Sequence, residues 1–382
     1  MSNIDVLPAE ILAHIFSHEG LADITRQVCS RWRGIALPIW LRRLSLLPSD
    51  PFKDLGMLAY LQGLSEHDRL YVRALDVTSR REGDVNSSVF FTEIADQACV
   101  QNVLSIQSLL GPRIVELAIT DTGWASDSIA DILKMNILTA RHLHHFQISL
   151  YEVDSFELPD LAHSLTQLYR RDAGHLKSIT LDLAQAVARE QWLAMAECTE
   201  LQRFHLGLYR STEPDLAEIF ELVLPRWEAL SELYICQPRP LSAEIVSCLH
   251  RHLPRPDRLR ELHLIFEACQ ASLYEQEFID MIHALPGLQM LEAHLDWTNR
   301  MMEHVAMALP DLRELSVTCS NLSFTCAGIQ CIVWGQALEK VNMRTSGKIC
   351  GGFLDAVRKR SRRVKILVYG SMKWGGAVDE WE

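Results

Sequence analysis

The 382-residue sequence has no apolar run approaching the ~20 residues that a helix needs to cross a membrane. Positive charge is also in short supply, with 37 Lys and Arg against 49 Asp and Glu, a net charge of −12. General affinity for nucleic acid or for an anionic membrane needs a basic face, so neither partner is expected. The ten cysteines are scattered and never form Cys-x-x-Cys. The opening Met-Ser-Asn-Ile-Asp lacks the basic start and apolar run of a secretory signal. Reduced thiols, mostly in the core, and a cytoplasmic and/or nuclear location are therefore expected. Asn86-Ser87-Ser88 and Asn321-Leu322-Ser323 match the glycosylation pattern, which a chain in those compartments would not use.

Reaction chemistry is missing as well. There is no Gly-x-Ser-x-Gly elbow, and Gly347-Lys348 and Gly351-Gly352 do not complete a phosphate-cradling loop. His14 and His18 lie four apart with no third ligand placed to complete a zinc site. His142, His144 and His145, and the pair His250 and His252, follow no ligand pattern, and Cys319, Cys326, Cys331 and Cys350 have the wrong spacing for a zinc ribbon. No catalytic residue, metal or cofactor is expected.

What the sequence has is a recurring phrase: an apolar residue, two variable residues, a second apolar, one variable, a third apolar. The instances are Ile114-Leu117-Ile119, Leu143-Phe146-Ile148, Leu176-Ile179-Leu181, Leu201-Phe204-Leu206, Leu230-Leu233-Ile235, Leu259-Leu262-Leu264, Leu288-Leu291-Ala293, Leu312-Leu315-Val317, Leu338-Val341-Met343 and Val364-Leu367-Tyr369. Val72-Leu75-Val77 and Leu41-Leu44-Leu46 extend the series toward the N-terminus. The steps from Ile114 onward are 29, 33, 25, 29, 29, 29, 24, 26 and 26 residues. Alternation within the phrase is the period-2 signal of a half-buried strand. Helical stretches such as 218–224 and 278–285 lie between phrases. Leu-Pro pairs at Leu224, Leu253, Leu285 and Leu309 stop several of them.

This body resembles a leucine-rich-repeat solenoid, the α/β horseshoe, of about ten units. The family's Asn after the strand is mostly replaced, by Leu208, Gln237, Glu267, Asp296, Ser320 and Thr345 among others. Irregular turns are expected in its place. The stretch from Pro48 to Gln107 is harder to read, and Thr78–Ser88 is the best internal candidate for an inserted or disordered loop. Arg358-Lys359-Arg360-Ser361-Arg362-Arg363-Val364-Lys365 is the one basic run. It reads as a helix end before the last strand, with nuclear import or anion docking as the other readings.

The N-terminal segment has a different pattern. Pro8 suits the first position of a helix, and Glu10 suits its positive end. Pro8, Ile11, Leu12, Ile15 and Phe16 form one apolar stripe at helical spacing. A polar stretch, Ser17-His18-Glu19-Gly20, follows. A second helix is expected with Ile24, Val28, Cys29, Trp32 and Ile35 at helical spacing, ended by Pro38. Helices this short need a partner surface or the body of the protein to bury their faces.

Leu7, Pro8, Glu10, Ile11, Leu12, Ile15, Phe16, Val28, Cys29, Trp32 and Trp40 together resemble the F-box. The expected organisation is F-box helices over 1–45 and a leucine-rich-repeat-like solenoid over 46–382, with the clearest repeats over 110–370. The resemblance implies an SCF-type receptor. Leu7, Pro8, Ile11, Leu12, Ile15, Phe16, Val28, Cys29 and Trp32 would bind a Skp-family adaptor and, through it, a cullin–RING ubiquitin ligase. The repeats would bind a protein substrate and perform no chemistry themselves. Solvent-facing strand positions Arg203, His205, Tyr234, Glu261, His263, Glu314 and Ser316 are the candidate substrate contacts. The other reading is an interaction scaffold with no ligase link, whose N-terminal helices only cap the solenoid.

Overall fold

The computed structural model describes residues 41–46, 51–69, 71–78, 89–120, 126–140, 142–150, 159–183, 187–208, 216–267, 273–319, 337–345 and 365–370. The chain divides into two compact units, Met1–Leu176 and Lys177–Glu382.

In the first unit the described elements are β1 (Arg43–Leu46), α1 (Pro51–Gly63), α2 (Glu66–Arg69), β2 (Ala74–Thr78), α3 (Val89–Leu110), β3 (Glu116–Thr120), α4 (Ser126–Thr139), β4 (His145–Leu150) and α5 (Pro159–Asp172). Consecutive strands pair in parallel from β1 to β4. The stretch that was hard to read, Pro48 to Gln107, holds α1, α2, β2 and most of α3. Thr78 ends β2, and 79–88 lie outside the described residues.

In the second unit β5 (Ser178–Leu183), α6 (Arg189–Met195), β6 (Arg203–Leu208), α7 (Leu216–Val223), β7 (Glu232–Pro240), α8 (Ala243–His252), β8 (Glu261–Glu267), α9 (Glu275–Ala284), β9 (Met290–His294), α10 (Asn299–Ala308) and β10 (Glu314–Cys319) alternate. β11 (Lys340–Thr345) and β12 (Lys365–Gly370) follow. Each strand pairs in parallel with the next, from β5 to β12. Parallel neighbours require a crossover, and α6 to α10 supply it between β5 and β10.

The three apolar positions of the phrase take different places. The second and third lie in the strand and point into the core, as Phe204 and Leu206 do in β6. The last phrase, Val364-Leu367-Tyr369, is one residue out, because β12 sets Ile366 and Val368, not Leu367 and Tyr369, against Val341 and Met343 of β11. The first, such as Leu201, Leu230, Leu259 or Leu288, is buried in the turn ahead of the strand. The two residues after it both donate their N–H to one carbonyl of the preceding repeat. Gln202 and Arg203 donate to Lys177 O at 2.8 and 3.0 Å, and Ser231 and Glu232 donate to Gln202 O at 2.8 and 3.0 Å. The same pairing recurs onto Ser231, Arg260, Gln289 and Arg313, and in the first unit onto Arg42, Arg73 and Val115.

Aromatic residues occupy the space between strands and helices. Trp192 meets the edge of Phe204 at 6.0 Å, and Phe204 lies 4.7 Å from Trp227. Trp227 Nε1 donates to Met195 O at 3.1 Å, and Trp192 Nε1 donates to Val187 O at 3.2 Å. After β9, where an Asn would be usual in the family it resembles, Tyr274 Oη donates to Asp296 O and accepts from Asp296 N. Trp297 Nε1 donates to Ala293 O at 3.1 Å. The buried indoles thus find backbone acceptors, and the Tyr274 phenol closes the turn after β9. Ser242 and Thr298 cap α8 and α10 by accepting from Ile245 N and Met301 N. In the first unit Arg171 donates to Asn136 O at 2.8 Å, placing a cation on the last turn of α4.

Trp227→Ala removes the ring that Phe204 packs on and one of the two hydrogen bonds that Met195 O accepts, the other coming from Cys198 N. The expected loss is about 3–5 kcal/mol of stability. Urea unfolding of the full chain checks this, with Trp227→Phe expected to lose less because it keeps most of the ring volume.

Candidate functional site

The parallel register of β5 to β11 turns the variable residue between the second and third apolar positions into a row. It runs Thr180, His205, Tyr234, His263, Glu292, Ser316 and Asn342. Side chains alternate along a strand, so this row faces away from the core lined by Phe204, Leu233, Leu262, Leu291 and Leu315. A second row lies two residues earlier: Ser178, Arg203, Glu232, Glu261, Met290, Glu314 and Lys340. A third lies two residues later and includes Asp182, Gly207, Cys236, Ile265 and His294.

The rows form a connected polar surface. His205 Nε2 lies 2.9 Å from Asp182 Oδ1, and its ring stacks on Tyr234 with centroids 3.8 Å apart and planes 10° from parallel. Tyr234 meets His263 at 5.4 Å. His263 Nδ1 lies 2.8 Å from Glu292 Oε2, His294 Nε2 lies 3.4 Å from Glu292 Oε1, and Ser316 Oγ donates to Glu292 Oε1 at 3.4 Å. Lys340 Nζ donates to Glu314 Oε2 at 2.9 Å. Arg203 Nε is 3.8 Å from Glu232 Oε2.

These surroundings shift the acidities. The bonds from His263 and His294 hold the Glu292 carboxyl well below the usual carboxylate range, against the opposing effect of burial. Burial pushes the Tyr234 phenol far above its ordinary value, assisted by Cys236, Glu292 and Asp182, so it stays a neutral donor. Burial also raises the Cys236 thiol, against the hydrogen bond with Tyr234. It raises Glu232 too, where Arg203 opposes the shift and Glu261 adds to it. A neutral phenol, flat stacked rings and fixed carboxylates suit recognition of polar and cationic groups. Among the described residues no group of three or more His, Cys, Asp or Glu side chains is placed to hold a metal ion. Within the same residues, no helix is long and apolar enough to cross a membrane.

Arg203, His205, Tyr234, Glu261, His263, Glu314 and Ser316 thus lie on neighbouring strands of one face. Arg203, Glu261 and Glu314 are in the earlier row and the other four in the central one. Glu292 joins His263 to His294 and Ser316, yet nothing in the repeat phrase singles it out. Its signal was register, because it fills the variable place between Leu291 and Ala293. Asp182 and His294 fall one position past their phrases, where the repeat pattern says nothing. The adaptor-side positions Leu7, Pro8, Ile11, Leu12, Ile15, Phe16, Val28, Cys29 and Trp32 lie outside the described residues, as do Trp40, His14, His18 and 358–364 of the basic run.

Residues 4–45 match the F-box-like family. Among solved structures, the chain is similar in fold to a chain of the Rad7–Elc1 complex crystallised from yeast. The identity is 12%, the TM-score 0.58, and the match covers 98% of this chain and 93% of that one. No curated protein matches the sequence. The matched segment and the fold define the class: a chain with an F-box-like segment at residues 4–45 ahead of an α/β repeat body of parallel strands and alternating helices.

Glu292→Gln tests the polar row. A carboxyl acidified by folding stabilises the fold above its unfolded value of about 4.3, and that contribution is lost as pH falls further. Wild type is expected to exceed the variant by about 1–3 kcal/mol near neutral pH. The two should converge as pH drops below about 4, measured by urea unfolding at a series of pH values.

Proposed function

We propose that this protein is the substrate-recognition subunit of an SCF-type cullin–RING ubiquitin ligase. The observation that carries the reading is the F-box-like match at residues 4–45 joined to a long repeat body. Residues 1–45 hold a Skp-family adaptor through Leu7, Pro8, Ile11, Leu12, Ile15 and Phe16, aided by Val28, Cys29 and Trp32. The repeat body over 46–382 holds a protein substrate on the strand face that carries His205, Tyr234 and His263. The similar fold found in the Rad7–Elc1 complex, an assembly of two proteins, supports a body of this type working in a complex.

The receptor contributes proximity and performs no transfer chemistry. It holds the substrate near a charged conjugating enzyme and raises the local concentration of the acceptor lysine. A solenoid suits this task, because adjacent repeats offer one extended surface. The complex acts in the cytoplasm or the nucleus.

Leu7→Ala/Pro8→Ala in the full chain is expected to weaken adaptor binding by a few kcal/mol, since each buried apolar anchor contributes about 1–3 kcal/mol. Co-purification with a Skp-family adaptor measures it. Capture of the double variant at the wild-type level would show that this stripe is not the adaptor surface.

A further inference from the structure

Parallel pairing sets Glu232 of β7 directly against Glu261 of β8, at the inter-strand spacing of about 4.8 Å. Like charges in directly opposed positions destabilise a sheet. Compensation is incomplete. Arg203 Nε lies 3.8 Å from Glu232 Oε2, and the imidazole Nε2 of His263 lies 3.9 Å from Glu261 Oε2. Neither distance is a hydrogen bond, and among the described residues neither carboxylate has a hydrogen-bond partner. The next acidic residue in the row is treated differently, since Lys340 Nζ donates to Glu314 Oε2 at 2.9 Å.

Both carboxylates are within reach of solvent, with side chains 39% and 43% exposed. One position along the same face lies the stacked His205–Tyr234 pair. On the far side of Glu261, Met290 occupies the same register position. Two under-compensated anions beside flat rings and a thioether match a side chain with a cationic head and an apolar stem.

We propose that the Glu232–Glu261 pair seats an arginine or lysine side chain, presented by a basic segment of a partner protein laid on this strand face. The inference rests on the receptor reading and names the chemistry of its substrate. The head of the incoming side chain lies between the two carboxylates and relieves their repulsion. Its stem lies against the Tyr234 and His205 rings. Half-burial has already raised the Glu232 carboxyl, so it gains more from a cationic partner than a fully solvated carboxylate would. Glu292 lies on the strand next to Glu261, one position along the same face, so a phosphorylated or acidic segment is repelled there.

The test is fluorescence anisotropy of the full chain bound to its adaptor. The probe is a labelled Gly-Ser nonapeptide carrying three arginines, compared with versions carrying three glutamates or three phosphoserines. The arginine peptide is expected to bind in preference to both. Glu232→Gln/Glu261→Gln should weaken it at least tenfold. Glu200→Gln/Glu303→Gln, which removes the same charge from exposed positions away from the strand face, should change it less than twofold. Tyr234→Ala should weaken binding, whereas Tyr234→Phe, which keeps the ring, should not. The inference is overturned if the wild-type chain does not bind the arginine peptide or prefers an acidic one. It is equally overturned if both glutamine pairs weaken binding alike or neither does. Adaptor capture is recorded on the same preparations. Capture that persists while the peptide result fails removes this inference alone, and failure of the wild-type chain to capture adaptor removes the receptor reading.

Discussion

One backbone carbonyl per repeat sets the placement of everything described on the strand face. Lys177, Gln202, Ser231, Arg260, Gln289 and Arg313 each accept two successive N–H groups from the next repeat, just after its first buried leucine. That shared acceptor fixes where each strand begins. Because side chains alternate with a period of two, a slip of one residue would send Tyr234 and His263 into the core and Leu233 and Leu262 out to solvent. The buried leucine and the doubled hydrogen bond therefore hold register together, the first through apolar burial and the second through directional bonding. The irregular repeat lengths do not disturb this, because the length varies after the strand, in helices that run from 7 residues in α6 to 22 in α3.

Constant register is what makes a surface from scattered residues. His205, Tyr234, His263 and Glu292 are separated by 29 residues at each step and are neighbours in space. The site is therefore rigid to the extent that the ladder is rigid, and its chemistry varies by single substitutions that leave the core untouched. The acidic and aromatic character of the central strands belongs to positions that the fold leaves free. This is why the functional content of such a body lies in the variable places of the phrase.

The repeat phrase made the strands, their order and the phrase positions legible from the sequence, except at β12, where Ile366 and Val368 take the places read for Leu367 and Tyr369. Val72-Leu75-Val77 and Leu41-Leu44-Leu46, the faintest members, correspond to β2 and β1. The phrase did not show that its first leucine stands outside the strand, since burial alone cannot tell a turn from a strand. The face carrying Arg203, His205, Tyr234, Glu261, His263, Glu314 and Ser316 followed from alternation. The bonds within it did not, because Glu292 and Asp182 act through neighbours that are distant in sequence. The turn chemistry was legible only as the absence of Asn. The bonding of Tyr274 to Asp296 at that position depends on packing between residues distant in sequence.

The central claim joins two functions in one chain, an adaptor hook in the first 45 residues and a recognition face in the repeats. The most direct measurement is the mass of the particle formed when the full chain is mixed with a purified Skp-family adaptor, read by light scattering behind a sizing column. The account predicts one particle with the mass of one chain plus one adaptor. Two separate peaks at micromolar concentrations, each with the mass of its own component, would contradict it.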